Sequence, residues 1–133
     1  LASTAESKES YGGCVEIWID GLPSGLGQPV FRKLKRDFAQ AILSVGATMT
    51  FEFGWGSRVS RMTGQEMHQT SDSSIYGGIR GGLSTGERIQ IATHIKPTSS
   101  VGAWARSGRH DPSIVPRAVP VLEAMLWIEL AEH

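Results

Sequence analysis

The chain has 133 residues, with 13 Lys and Arg balanced by 13 Asp and Glu. That length fits one domain, and the zero net charge removes the simplest case for a nucleic-acid or anionic-membrane partner, because counterion release needs a net basic surface. A single cysteine, Cys14, allows neither an internal disulfide nor a cysteine-based metal site, so a reducing, cytoplasmic setting is expected. No apolar run reaches transmembrane length, and no signal-peptide pattern opens the sequence.

Residues 1–10 are small, polar and without period, and are expected to be a flexible leader to a domain over 11–133. The first residue is Leu, as in a fragment or a processed chain. Over 13–20, Val15, Ile17 and Ile19 alternate with Cys14, Glu16 and Trp18, which predicts a strand with one apolar face. A glycine-punctuated loop follows, and Pro29 is placed for the first turn of a helix reaching about Val45. Val30, Phe31, Leu34, Phe38, Ala41, Ile42 and Val45 would share its buried face. Arg32, Lys33, Lys35 and Arg36 read as its solvated face, and Gly46 as a left-handed cap.

Residues 49–53 alternate again as a strand, with Phe51 and Phe53 on one side, whereas 54–76 reads as polar loop. A glycine doublet is repeated four residues on, at Gly77-Gly78 and Gly81-Gly82. Over 87–95, Ile89, Ile91, Thr93 and Ile95 face one way and Arg88, Gln90, Ala92 and His94 the other, the clearest strand of the chain. Residues 120–132 are apolar nearly all round, so that helix belongs between layers or at a subunit contact. Strands and helices mix without a βαβ rhythm, which favours α+β.

Three segments could carry chemistry. Lys96-Pro97-Thr98-Ser99-Ser100 offers an ammonium, three hydroxyls and backbone donors just past a strand end. A phosphate wants that set, although a polar turn would look the same. The Gly77–Gly82 segment either turns the chain or lets backbone approach a ligand, and it lacks dinucleotide-fingerprint spacing. Gly108-Arg109-His110-Asp111-Pro112 packs a cation, an imidazole and a carboxylate against an apolar helix. Asp111 could cap that helix with Pro112 in its first turn, or the triplet could grip an anion; both readings stand. His68, His94 and His133 have no metal-ligand spacing, so no metal is expected. Cys14 has no basic neighbour to activate it.

Taken in order, several segments resemble one family. They are Gly21-Leu22-Pro23-Ser24-Gly25-Leu26-Gly27, Phe51-Glu52-Phe53-Gly54, Gly77-Gly78-Ile79-Arg80-Gly81-Gly82-Leu83-Ser84, the Lys96 pentapeptide, and Gly108-Arg109-His110-Asp111-Pro112 with Ala118-Val119-Pro120-Val121-Leu122-Glu123-Ala124-Met125. Together they resemble the C-terminal portion of chorismate synthase, from Gly12 onward. The resemblance implies a lyase of the shikimate pathway, in aromatic amino-acid biosynthesis. It would catalyse the 1,4-anti elimination of phosphate from 5-enolpyruvylshikimate 3-phosphate to give chorismate.

The family's cofactor is reduced FMN, with NADP linked to flavin reduction, and its members are homotetramers. The implied fold layers helices between antiparallel β-sheets in a β-α-β sandwich, present here in part. Carried onto this chain, Lys96, Pro97, Thr98, Ser99 and Ser100 would hold the FMN phosphate and polar edge. Gly46, Ala47 and Gly81 would contact the flavin, Arg109 would neutralise phosphate, and Asp111 would move a proton beside flavin N5 as the catalytic residue. Family segments expected upstream are absent, Gly46 stands where the family has an amide, and the connection from Ser100 to Gly108 is short. The chain is therefore expected to be a fragment inactive by itself. The alternative is a non-catalytic flavin-binding or oligomer-assembly module derived from the family.

Overall fold

In a computed structural model, described for residues 10–98 and 113–133, all three predicted alternations contribute paired strands to one sheet. The elements run β1 (Gly13–Ile19), α1 (Leu34–Leu43), β2 (Glu52–Phe53), α2 (Gly64–Gln69), β3 (Ile79–Arg80), β4 (Leu83–Ser84), β5 (Ile89–Ile95) and α3 (Val115–Ala131). Short 3-10 turns lie at Val30–Arg32, Gly56–Arg61 and Ser73–Tyr76. Antiparallel β1, β5 and β2 form one sheet with β5 central, and β3 and β4 form a separate hairpin. Helices thus combine with antiparallel sheets, the α+β class expected.

The register places Val15 opposite Thr93, Ile17 opposite Ile91 and Ile19 opposite Ile89, so the apolar faces of β1 and β5 coincide. That face meets Leu34, Phe38 and Ile42 of α1 and Leu122 and Leu126 of α3 in one core. Each such side chain contributes roughly 1.5–3 kcal/mol by leaving water. The opposite face of β1 carries Cys14, Glu16 and Trp18 and is exposed. The sheet is covered on one side by these helices.

Phe53 pairs with Ile91 and Glu52 with Ala92, whereas Thr48 pairs with Ile95. The second segment therefore carries one more residue than β5 between these pairs, a bulge. Thr93 donates its hydroxyl to the Thr50 carbonyl at 2.7 Å, satisfying a group the bulge leaves out of the ladder. The strand expected over 49–53 is accordingly cut to Glu52–Phe53.

The helix expected from Pro29 is broken in its first turn. Val30 has φ 64, and Lys33 is extended at ψ 142. Val30 and Phe31 are consequently 62% and 81% exposed and do not join the buried face. Instead the Leu34 N–H donates to the Gly82 carbonyl at 2.7 Å, so the glycine turn anchors the start of α1. At the other end Ser44 caps the helix, and the left-handed residue is Ala47 (φ 73) rather than Gly46.

The predicted loop over 54–76 holds α2 and two 3-10 turns. Gly54 makes this possible: it has φ 63, and a Cβ there would run into the Ile75 carbonyl and the Gly77 nitrogen. The C-terminal helix starts before residue 120, at Val115, with Ile114 as its cap and Pro116 in its first turn. Asp111 and Pro112 lie outside the described residues, and the observed cap is not Asp111. Ala118, Leu122 and Leu126 of α3 are buried, but Trp127 is 69% exposed, so the described residues cover one face of this apolar helix. No helix among them is long and apolar enough to cross a membrane. The leader expected over 1–10 lies outside the described residues except for Ser10.

Candidate functional site

The Lys96 segment leaves β5 beside the end of α1. Lys96 donates its backbone N–H to the Ala47 carbonyl at 3.0 Å, next to the Thr48–Ile95 bridge. Gly46, Ala47, Lys96, Pro97 and Thr98 thus belong to one corner of the molecule. Its form depends on the left-handed Ala47, which costs about 1–2 kcal/mol for a residue with a Cβ. The Thr98 carbonyl accepts a hydrogen bond from the Ser10 hydroxyl at 2.8 Å. The Thr98 Oγ1 atom is buried and has no hydrogen-bond partner among the described residues. Such an orphan costs about 1–3 kcal/mol unless something arrives to pair with it. Exposed Lys96 has no carboxylate within ion-pair distance among the described residues.

Gly81 occupies a different place. Arg80 pairs with Leu83 across a two-residue turn in which Gly81 and Gly82 have φ 60 and 83. That geometry is the primed hairpin turn, which requires positive φ at both positions. A Cβ built on Gly81 would meet nothing within 4 Å. The residue lines an open cavity of about 550 Å³ with Phe51, Phe53, Ile75, Tyr76 and Arg80. The rings of Phe51 and Phe53 stand 6.2 Å apart, and the Arg80 guanidinium lies 4.1 Å from the Tyr76 ring centroid.

The two groups sit at opposite ends of α1. Gly82 accepts from the Leu34 N–H at its start, and the Thr48 hydroxyl donates to the Ile42 and Val45 carbonyls at its end. Ten helical residues separate them by roughly 15 Å. Residues 48–53 join the two groups along the sheet edge, about 17 Å if extended. Ser99, Ser100, Arg109 and Asp111 lie outside the described residues. The aromatic cavity was only half legible in the sequence. Phe51 and Phe53 stood out by alternation, but Tyr76 and Arg80 join them through the fold alone.

A second buried polar cluster was missed altogether. Arg32 and Arg36 do not form a simple solvated face: they donate to the Asp37 carboxylate at 3.1 and 2.9 Å, and His133 reaches it at 2.7 Å. Burial, the largest influence, pushes the Asp37 carboxyl up. Hydrogen bonds from Arg36, His133 and Arg32 outweigh it and hold the group below the usual carboxylate range. Glu129 is pushed the other way, by burial first and then by the Asp37 and Glu132 charges. The Cys14 thiol is also raised, by burial and by Glu16 and Glu52, which leaves it protonated and a poor nucleophile.

Over residues 1–133 the sequence matches the family model described as chorismate synthase. A chorismate synthase of Bdellovibrio bacteriovorus is 53% identical over 133 residues, which cover all of this chain and 39% of that protein. One of Methanococcoides burtonii is 42% identical over 156 aligned positions, covering all of this chain and 43% of that protein. A crystal structure of chorismate synthase superposes with a TM-score of 0.81 at 29% identity, over 98% of this chain and 39% of that one. The chain spans about two fifths of the length of these relatives. The archaeal alignment exceeds this chain's length, so that relative carries positions without a counterpart here, whereas the Bdellovibrio alignment runs to this chain's own length.

Proposed function

Because the chain belongs to the chorismate synthase family, we propose that it supplies part of a site that converts 5-enolpyruvylshikimate 3-phosphate to chorismate with reduced FMN as cofactor. The observation that carries this reading is the buried Thr98 hydroxyl, unpartnered among the described residues, two positions along from exposed Lys96. These are a neutral donor and a cation without a carboxylate partner among the described residues, and a phosphate satisfies both. The aromatic cavity at Gly81 takes a planar ring between apolar and aromatic walls.

Among the described residues, the cavity thus offers walls suited to a ring, and the Lys96 corner offers donors suited to a phosphate. The chemistry that reduced FMN would supply there is electron density for cleavage of the substrate's C–O bond, with no net change in the flavin. Lys96 offsets the phosphate charge, and Thr98 donates to a phosphate oxygen. Gly81 keeps the ring's side of the cavity free of a side chain. Beyond the described residues, Arg109 adds a second cation, Ser99 and Ser100 add donors, and Asp111 takes up the substrate proton. Since the chain spans two fifths of its relatives' length, the 133 residues alone bind without turnover. Self-association as a homotetramer is part of the same reading, and the exposed apolar side of α3 is its surface.

The test is FMN titration by fluorescence quenching, with 5-enolpyruvylshikimate 3-phosphate present, on this chain and on Lys96→Ala. Saturable binding that weakens about tenfold in the variant is expected. Binding without chorismate release fits a site held in part, and absence of any FMN binding overturns the cofactor assignment.

A further inference from the structure

We propose that Arg80 is the anion-holding group at the mouth of the aromatic cavity, positioning a phosphate or carboxylate of a ligand whose ring enters it. This rests on the reading of the cavity as a chorismate synthase-type site, and it adds a residue that the resemblance does not assign.

Arg80 is set by backbone. It is the last residue of β3, paired with Leu83 across the Gly81–Gly82 turn, so its Cα position follows from hairpin geometry. Its guanidinium lies on the Tyr76 ring, 4.1 Å from the centroid. Stacking fixes the plane of the group but leaves its edge N–H donors unused, and arginine has donors only. Three other arginines spend theirs on carboxylates: Arg32 and Arg36 on Asp37, and Arg88 on Asp20. Among the described residues Arg80 has no such partner, even though Glu52 lines the same cavity and Glu87 lines a shallow depression beside it.

Arg80 is also the only Lys, Arg or His among the described residues that line the cavity. The walls are otherwise chiefly apolar, from Phe51, Phe53, Val59, Met67 and Ile75. Arg58 makes a similar stack on Trp55, at 4.5 Å, without lining the cavity. An oriented, unpaired guanidinium at the rim of an aromatic pocket suits bidentate contact with an oxyanion attached to a ring or its chain. Two sources share that chemistry, the cofactor phosphate and the anionic groups of the substrate.

The experiment compares FMN, riboflavin and 5-enolpyruvylshikimate 3-phosphate as titrants against the wild-type chain, Arg80→Gln, Arg80→Lys and, as a stacking control, Arg58→Gln. Thermal unfolding of each variant accompanies the titrations. About tenfold weaker FMN binding by Arg80→Gln with riboflavin unchanged assigns the cofactor phosphate to Arg80 in place of the Lys96 corner. The same loss for the substrate with FMN unchanged assigns Arg80 to the substrate. Recovery in Arg80→Lys and none in Arg58→Gln marks the charge as the cause in either case. Unchanged affinities for all three titrants overturn the proposal, and so does equal weakening of FMN and riboflavin, which means packing on the ring. A wild-type chain that binds none of the three overturns the site reading itself.

Discussion

The Asp37 carboxylate and the His133 imidazole lie 2.7 Å apart across 96 residues of sequence, and they fasten the start of α1 to the end of α3. The Asp37 side chain is 0% exposed, while its partners Arg32 and Arg36 are 42% and 55% exposed. Removing one member of a fully buried pair costs about 3–5 kcal/mol, and half-exposed partners regain water. Asp37→Ala is therefore expected to lower stability by about 2 kcal/mol, read as a shift in the urea unfolding midpoint with an unchanged slope.

The same cluster sets an acid response with two opposing parts. Asp37 titrates below its ordinary value in the folded chain, so its stabilisation is complete above that value, 3.8, and is lost as pH falls through the lower, folded-state value. Glu129 titrates above its ordinary value of 4.5, so folding favours its protonated form. Stability should rise slightly as pH falls toward 4.5, then drop below 3.8. In Asp37→Asn the drop should flatten while the rise persists, which thermal melts across pH would show.

Thr98→Val separates site from scaffold. The buried hydroxyl has no partner among the described residues, so replacing it with a methyl of nearly the same shape should stabilise the ligand-free chain by about 1 kcal/mol. The same change should weaken FMN binding severalfold. Calorimetric unfolding paired with FMN titration checks both signs, and a destabilised variant would mean that the hydroxyl is already satisfied.

Two glycines with nearly equal φ should respond differently to a methyl. At Gly81 a Cβ meets nothing within 4 Å, so Gly81→Ala costs only the left-handed backbone, about 1–2 kcal/mol, and places a methyl against the cavity. At Gly54 the added carbon overlaps the Ile75 carbonyl and presses on the Gly77 nitrogen at 2.8 Å. Gly54→Ala should therefore cost about 3 kcal/mol or more, since the backbone has to move as well. Urea unfolding ranks the pair, and FMN affinity should fall in Gly81→Ala while its fold persists.

What the sequence disclosed depended on how local the cause was. Ile89, Ile91, Thr93 and Ile95 announce β5 because a one-sided sheet writes its burial as strict alternation. The break before α1 was hidden because Val30 is not a residue from which positive φ is expected; the Gly82 carbonyl claims the Leu34 N–H from 48 positions away. Asp37 did not stand out beside the cations of its helix, since nothing nearby in sequence announces His133. The Lys96 corner was legible as a loop of phosphate-type donors, whereas the cavity wall of Tyr76 and Arg80 needs the 3-10 turn at Ser73–Tyr76 and the hairpin to exist first.

The bulge over 48–52 acts on the site as a phase correction. Thr48 and Phe53 are an odd number of residues apart, so uninterrupted alternation would send their side chains to opposite faces. The extra residue lets Thr48 pair with Ile95 while Phe53 pairs with Ile91, both on the helix side. Thr48 and Phe53 consequently share one side of the sheet, the side of the helices. Deleting one residue of the 49–51 segment would make the count equal to that of β5 and remove the bulge. A single irregularity in backbone count, held by the Thr93 and Thr50 hydroxyls, thus keeps Thr48 and Phe53 in phase.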